Sequence, residues 1–248
     1  MPIAIIPARY ASSRFPGKPL IDIFGKSMLK RVYEQVSKFK LLRGIIIATE
    51  DQRIFDHAST FCEDVFMTSP NHQSGTDRCL EALELYREKY HAEPTLILNI
   101  QCDEPFIHPE QIAMLYHCFD KSETQISTII KKIDKKDELQ NPNVVKVIKN
   151  KMGKALYFSR QCIPFNRDIN PTDWFKNATY FKHIGLYGYT VKTLRQITRL
   201  KVSELEAAEK LEQLRWLENG FEIQTAISNR DSNSIDRPED LERLGLWY

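Results

Sequence analysis

Short apolar runs and longer amphipathic ones alternate along the first half of the chain. Ile3 to Ile6, Gly44 to Ala48, Val65 to Met67 and Thr95 to Ile100 are short and rich in branched residues, the pattern of buried strands. Between them, Ser27 to Phe39 places Met28, Leu29, Val32, Val36 and Phe39 on one helical stripe, and Thr76 to Tyr90 does so with Cys79, Leu80, Leu83 and Tyr86. Pro109 opens a third helix from the favoured first-turn position. Helices filling the gaps between such strands predict an α/β fold, an open and mostly parallel twisted sheet with flanking helices. After Asp120 the pattern turns mixed. Strands are predicted at Ile126 to Ile133, Val144 to Ile148 and Ala155 to Ser159, the last two joined by a hairpin across Asn150-Lys151-Met152-Gly153. A strand at Gly185 to Thr190, one long helix from Ser203 to Asn219 ending before Gly220, a strand at Glu222 to Ile227 and a helix at Pro238 to Leu244 complete the expectation.

Composition narrows the class. The 248 residues suffice for one large α/β domain, read here as residues 1–248, with 1–120 a ligand-binding half and about 121–220 a smaller mixed α+β region. A net charge of +2 gives no support for nucleic-acid binding, and no apolar run reaches the length of a membrane span, so the expected location is the cytoplasm. The five cysteines, with no Cys-x-x-Cys pair, point to reduced thiols rather than a disulfide framework or a zinc site.

Candidate chemistry lies in the loops after the strands. The first strand runs into Pro7-Ala8-Arg9, and Arg14 and Lys18 follow in the same loop, a set suited to phosphate oxygens, although a solvated basic loop is the alternative. The third strand leads to Ser74-Gly75-Thr76-Asp77-Arg78, either a helix-capping sequence or an anion-facing helix start. The fourth leads to Gln101-Cys102-Asp103. In an open parallel sheet, loops at the carboxyl ends of the strands converge on one crevice. Asp103, opposite the basic loop, suits Mg2+ held between protein and phosphates, and Asp236 is the second candidate, with an ordinary helix cap as its alternative.

These segments occur together in one known family. Ile6 to Tyr10, Arg14 to Leu20, His72 to Arg78, Asn99 to Gln101 with Asp103 to Pro105, Ala155 to Arg160, His183 to Tyr187, Leu211 to Arg215, and Asp236 with Pro238 to Leu241 resemble, in order and over essentially the whole length, the 3-deoxy-manno-octulosonate (Kdo) cytidylyltransferases. The resemblance implies a Rossmann-like nucleotidyltransferase whose second region binds sugar and forms a homodimer. It also implies a reaction in which CMP passes from CTP to the anomeric hydroxyl of Kdo, an acidic eight-carbon sugar, for lipopolysaccharide or capsule synthesis. By that resemblance Arg9, Arg14 and Lys18 hold the triphosphate; Pro7, Ala8, Ser74, Gly75, Arg78 and Gln101 help place the nucleotide; Asp103 and Asp236 bind Mg2+. Arg160, His183, Tyr187, Glu212 and Gln213 line the sugar. A relative using 8-amino-Kdo or a sialic-type sugar is the enzymatic alternative, and a nucleotide-binding module without turnover is the other. Cys102 stands where the family usually has glycine, adding bulk and a soft donor beside Asp103.

Overall fold

The structure, a computed structural model, describes residues 1–11, 15–231 and 233–246. The chain opens with β1 (Ile3–Pro7), a small β2 (Asp22–Ile23) and β3 (Lys26–Ser27) hairpin, and α1 (Met28–Val36). It continues through β4 (Gly44–Thr49), α2 (Gln52–Ser59), β5 (Asp64–Met67), α3 (Gly75–Tyr90), β6 (Leu96–Asn99) and α4 (Pro109–His117). The later elements are β7 (Ile126–Lys132), α5 (Lys136–Gln140), β8 (Lys146–Lys149), β9 (Ala155–Ser159), α6 (Trp174–Asn177), β10 (Phe181–Thr190) and α7 (Val191–Ile197). The chain closes with α8 (Glu204–Glu209), α9 (Glu212–Glu218), β11 (Ile223–Ser228) and α10 (Pro238–Arg243). Among the described residues no helix is long and apolar enough to cross a membrane.

Two compact units emerge. The first comprises Met1–Ala113, Gly188–Thr198 and Ser232–Tyr248; the second comprises Met114–Tyr187 and Arg199–Asp231.

In the first unit the strands lie in the order β6-β1-β4-β5, with β1 parallel to both neighbours. All five residues of β1 are buried, which explains the unbroken apolar run: a central parallel strand has helices over both faces and no polar face to show. Ser27 caps α1 by accepting from Lys30 N, and Met28, Leu29, Val32 and Val36 are buried as the stripe predicts. Ile23, Met28, Ile235 and Leu241 form a separate apolar cluster, which fastens the segment before and within α10 to the region that follows the basic loop.

In the second unit β7 pairs in parallel with β11, and β8 pairs antiparallel with both β9 and β10. The predicted hairpin is present. Gly153 has φ +83°, and a Cβ there would come within 2.8 Å of Gln224 Nε2.

The structure corrects the long helix expected from Ser203 to Asn219. It is two short helices, broken at Lys210, which adopts the left-handed conformation with φ 54°. The break lets α9 bury Gln213, Leu214, Arg215 and Trp216, whereas α8 buries none of its residues. Glu206 pairs with Arg215 Nε at 3.0 Å, and Arg215 also donates to Leu200 O at 2.9 Å. Strand β10 is longer than expected, starting at Phe181, because its first residues pair with β8.

A left-handed non-glycine residue costs roughly 1–2 kcal/mol. Lys210→Gly is expected to leave stability unchanged or raise it by up to about 1 kcal/mol, whereas Lys210→Val lowers it. Urea unfolding of the two variants beside the parent checks this.

Candidate active site

A cavity of about 220 Å3 opens in the first unit at the carboxyl ends of β1, β5 and β6, lined by Pro7, Arg9, Lys18, Pro19, His72, Gln73, Ser74, Gly75, Arg78, Gln101, Cys102, Asp103 and Asp236. Three loops far apart in sequence thus meet as the parallel topology requires.

The basic loop is shaped by Gly17, whose φ of +72° is open to glycine and strained for other residues. A Cβ there would lie 3.2 Å from the Tyr10 ring, and Gly17 N donates to Tyr10 O at 3.0 Å. Tyr10 is held in turn by its backbone N–H on Glu50 Oε1 at 3.0 Å and by the Arg53 guanidinium 3.4 Å from its ring centroid. Arg9 is exposed at the cavity, and Arg14 lies outside the described residues.

Lys18 is 9% exposed, and its Nζ lies 3.0 Å from Asp103 Oδ2 and 3.4 Å from Asp236 Oδ1. Burial works against the ammonium, but the charge and hydrogen bond of Asp103 and the charge of Asp236 outweigh it, so the pKa is raised and Lys18 is charged at neutral pH. Asp103 sits in the turn after β6, and its carbonyl accepts from Ile235 N at 2.9 Å. That bond and the buried Ile235 side chain bring Asp236 to the cavity. Asp236 is not a helix cap. Arg237 holds the N-cap position of α10, and Asp240 Oδ2 accepts from the backbone N–H groups of both Asp236 and Arg237 at 2.9 Å.

At the third loop the helix-capping reading holds. Ser74 caps α3, accepting from Asp77 N, while Asp77 accepts from Ser74 N, and the same helix start lines the cavity. The positive end of the helix dipole therefore lies at the basic loop. Gly75 packs between Pro7 and Gln101, and the Gln101 amide donates to Asn99 Oδ1 at 2.9 Å. Arg78, 4% exposed, is paired with Glu50 at 2.8 Å and bonded to Thr68 Oγ1, so it braces the loops after β4 and β5 as well as lining the cavity. Ala8 is buried and does not line it; its N–H donates to Ala48 O at 2.9 Å.

His72, Gln73 and Pro19 line the cavity without having been singled out individually in the sequence, although each sits in a loop that was. His72 is fixed by a short hydrogen bond to Glu81, which also accepts from Ser69 N. Glu50 gave no sequence signal, because its partners Tyr10 and Arg78 are distant in the chain.

The donor set suits Mg2+. Two carboxylates converge on one positive charge, and among the described residues no group of three His, Cys, Asp or Glu side chains forms a closed metal cage. Mg2+ favours one or two carboxylates with phosphate and water oxygens completing its shell. Cys102 adds no soft ligand: burial first, and Asp103 second, push its thiol pKa far up, so it stays protonated.

In the second unit, His183 and Tyr187 lie on one face of β10, two strand repeats apart. Phe158, His183, Tyr187 and Trp216 form a row with ring centroids 5.1, 5.3 and 5.0 Å apart. Thr128 Oγ1 donates to Leu186 O at 2.7 Å and lies 2.9 Å from His183 Nε2, so its oxygen accepts from that nitrogen and Nδ1 carries the ring lone pair. Burial pushes the His183 pKa from 6.5 to about 3, leaving the imidazole neutral. Gln213 is 5% exposed, and its Nε2 has no hydrogen-bond partner among the described residues. Neighbouring Glu212 accepts from Arg215 at 3.0 Å. The Arg160 guanidinium donates to Glu209 O, Pro142 O and Lys210 O at 2.7, 3.1 and 3.5 Å.

A parallel sheet whose strand ends present a basic loop, a helix start and Asp103, with Asp236 brought beside them from the segment before α10, has the layout of a nucleotide-binding α/β protein. A family model described as Cytidylyltransferase matches residues 3–226. The chain is similar to the 3-deoxy-manno-octulosonate cytidylyltransferase of Parabacteroides distasonis, with 50% identity over 97% of this chain and 95% of that protein. It is also similar to the 8-amino-3,8-dideoxy-manno-octulosonate cytidylyltransferase of Shewanella sp., with 43% identity over 97% of this chain and 96% of that protein. The solved structure of a CMP:2-keto-3-deoxy-manno-octonic acid synthetase complexed with CTP superposes with a TM-score of 0.87 at 36% identity, covering 98% of this chain and 96% of that one. The chain belongs to the 3-deoxy-manno-octulosonate cytidylyltransferase family.

The depressed His183 pKa carries a pH signature. Between pH 6.5 and about 3 the unfolded chain binds this proton and the folded chain does not, so stability falls as pH drops through that window. His183→Gln is expected to flatten that part of the curve, measured by urea unfolding at several pH values against the parent.

Proposed function

We propose that the chain transfers CMP from CTP to the anomeric hydroxyl of 3-deoxy-D-manno-octulosonate and releases pyrophosphate. The observation that carries this reading is the meeting of Arg9, Lys18, the start of α3, Asp103 and Asp236 around one cavity. The acceptor oxygen forms a bond to the α-phosphorus while the bridging bond to the β-phosphate breaks in line, and the hydroxyl proton is lost to solvent. Such transfers need little covalent help from protein; positioning and charge neutralisation supply most of the rate. Arg9 and Lys18 meet the phosphate charge, with Arg14 assigned the same role by resemblance. The start of α3, through Ser74 and Gly75, adds its positive dipole, while Pro7, Arg78 and Gln101 shape the nucleotide wall.

Asp103 and Asp236 would hold Mg2+. When bound, it supplies charge stabilisation at the reacting phosphoryl group and acidifies a coordinated hydroxyl.

For the acceptor, the residues assigned by resemblance all belong to the second unit. Gln213 supports the assignment best: a buried amide donor lacking a protein partner costs about 1–3 kcal/mol and is retained where a ligand oxygen can satisfy it. Neutral His183 offers a lone pair at Nδ1, suited to a sugar hydroxyl, and Tyr187 packs its ring against His183. Glu212 is assigned to a second hydroxyl. Arg160 contributes its positive charge toward the sugar carboxylate while its donors brace the backbone at Pro142, Glu209 and Lys210. The same reading takes the working form as a cytoplasmic homodimer joined through the second unit.

Two outcomes test the assignment. Asp103→Ala and Asp236→Ala are each expected to lower turnover by roughly a hundredfold or more. The check is pyrophosphate release with CTP, Mg2+ and Kdo, run beside 8-amino-Kdo and a sialic-type sugar; near-normal rates in both variants, or preference for a rival sugar, overturn the corresponding part. Gln213→Leu is expected to raise KM for Kdo while leaving KM for CTP unchanged. Its unfolding free energy should stay level or rise by up to about 1 kcal/mol, because the unsatisfied donor is gone.

A further inference from the structure

At the cavity the Asp103 and Asp236 carboxylates meet the Lys18 ammonium, and of these three side chains Lys18 is the most buried. Lys18 keeps 11% of its side-chain surface, whereas Asp103 and Asp236 keep 32% and 35%. The ammonium therefore lies against both carboxylates from the protein side, while the carboxylates retain accessible surface. The Lys18 backbone is fixed on either side: Leu20 N donates to Gly17 O at 2.9 Å, and Pro19 follows it directly. The nitrogen itself sits at the end of four rotatable methylenes and can move without the loop moving.

We propose that Lys18 is a built-in competitor of the divalent cation, making metal binding conditional on the triphosphate. This rests on the assignment of Asp103 and Asp236 as metal ligands. A divalent ion entering between the carboxylates meets an ammonium within a few ångströms of both of its ligands, and like charges that close repel strongly in a half-buried site. With no phosphate present, the ammonium stays on the two carboxylates it pairs with, and the metal binds weakly. A triphosphate in the cavity gives the ammonium a new partner, and the carboxylates pass to the metal. Metal and CTP therefore raise one another's affinity by the same factor, as linkage requires. Charge balance favours the exchange, because the metal brings two positive charges to two carboxylates and Lys18 moves to a polyanion.

The experiment is Mn2+ binding, read from the electron paramagnetic resonance signal of free Mn2+, on the intact chain with and without CTP, each CTP arm measured against CTP and Mn2+ alone, and with no sugar acceptor. The parent should bind Mn2+ weakly alone and roughly tenfold or more tightly with CTP. Lys18→Met should bind Mn2+ roughly tenfold more tightly than the parent without CTP, and much of the gain from CTP should vanish. Lys18→Gln, also neutral, carries the test if the methionine variant does not fold, and Lys18→Arg, which keeps the charge, should behave like the parent. If neutral variants bind Mn2+ no better than the parent while Asp103→Asn still abolishes binding, the competition is overturned and the metal assignment stands. If Asp103→Asn and Asp236→Asn leave Mn2+ binding intact in the presence of CTP, the metal assignment falls and takes the competition with it.

Discussion

Two carboxylates that converge in a partly buried turn repel one another unless a positive charge, a metal or a shared proton offsets them, and in this chain Lys18 supplies that charge. The contact joins positions separated by 85 and 218 residues, so it ties the beginning, middle and end of the first unit into one site. Its geometry is secured by features that carry no charge. Gly17 permits the turn that delivers Lys18, and Ile235 anchors the segment carrying Asp236 through an apolar cluster with Ile23, Met28 and Leu241. The bond from Ile235 N to Asp103 O sets the two acidic residues side by side before any side-chain attraction acts.

Around that cluster the sheet serves as a scaffold. Strands β1, β4, β5 and β6 are parallel, so their ends release loops on one edge, and the chemistry lies in the loops because the central strand β1 is buried throughout and has no surface to offer. Several cavity residues do two jobs. Ser74 closes the end of α3 and lines the site; Arg78 pairs with Glu50 and does the same. Such sharing makes the site rigid, since a residue that holds two loops together cannot drift without disturbing both.

The second unit solves a different problem, setting the neutral His183 and Gln213 beside the charged Arg160 and Glu212. The row Phe158, His183, Tyr187 and Trp216 keeps His183 dry enough to remain an uncharged imidazole. The break at Lys210 gives α9 its own direction, and with it come the buried Gln213 and Trp216. Arg160 spends its donors on three backbone carbonyls, a bracing role that a reading of the residue as a plain anion receptor does not contain.

The amino-acid sequence alone determined the four parallel strands of the first half and the helices α1, α3 and α4, the parallel edge on which their loops gather, and the family to which the eight segments belong. Hydrophobic periodicity is local and survives in one dimension, and ordered motifs survive with it. Only the tertiary structure decided that Asp236 faces Lys18 instead of capping α10, that Glu50 braces Arg78, and that the helix after Ser203 turns at Lys210. Those outcomes follow from long-range contacts, in which a buried apolar side chain such as Ile235 or Trp216 outweighs the local preference of its neighbours. No spacing of residues along a chain records which distant partner will supply that burial.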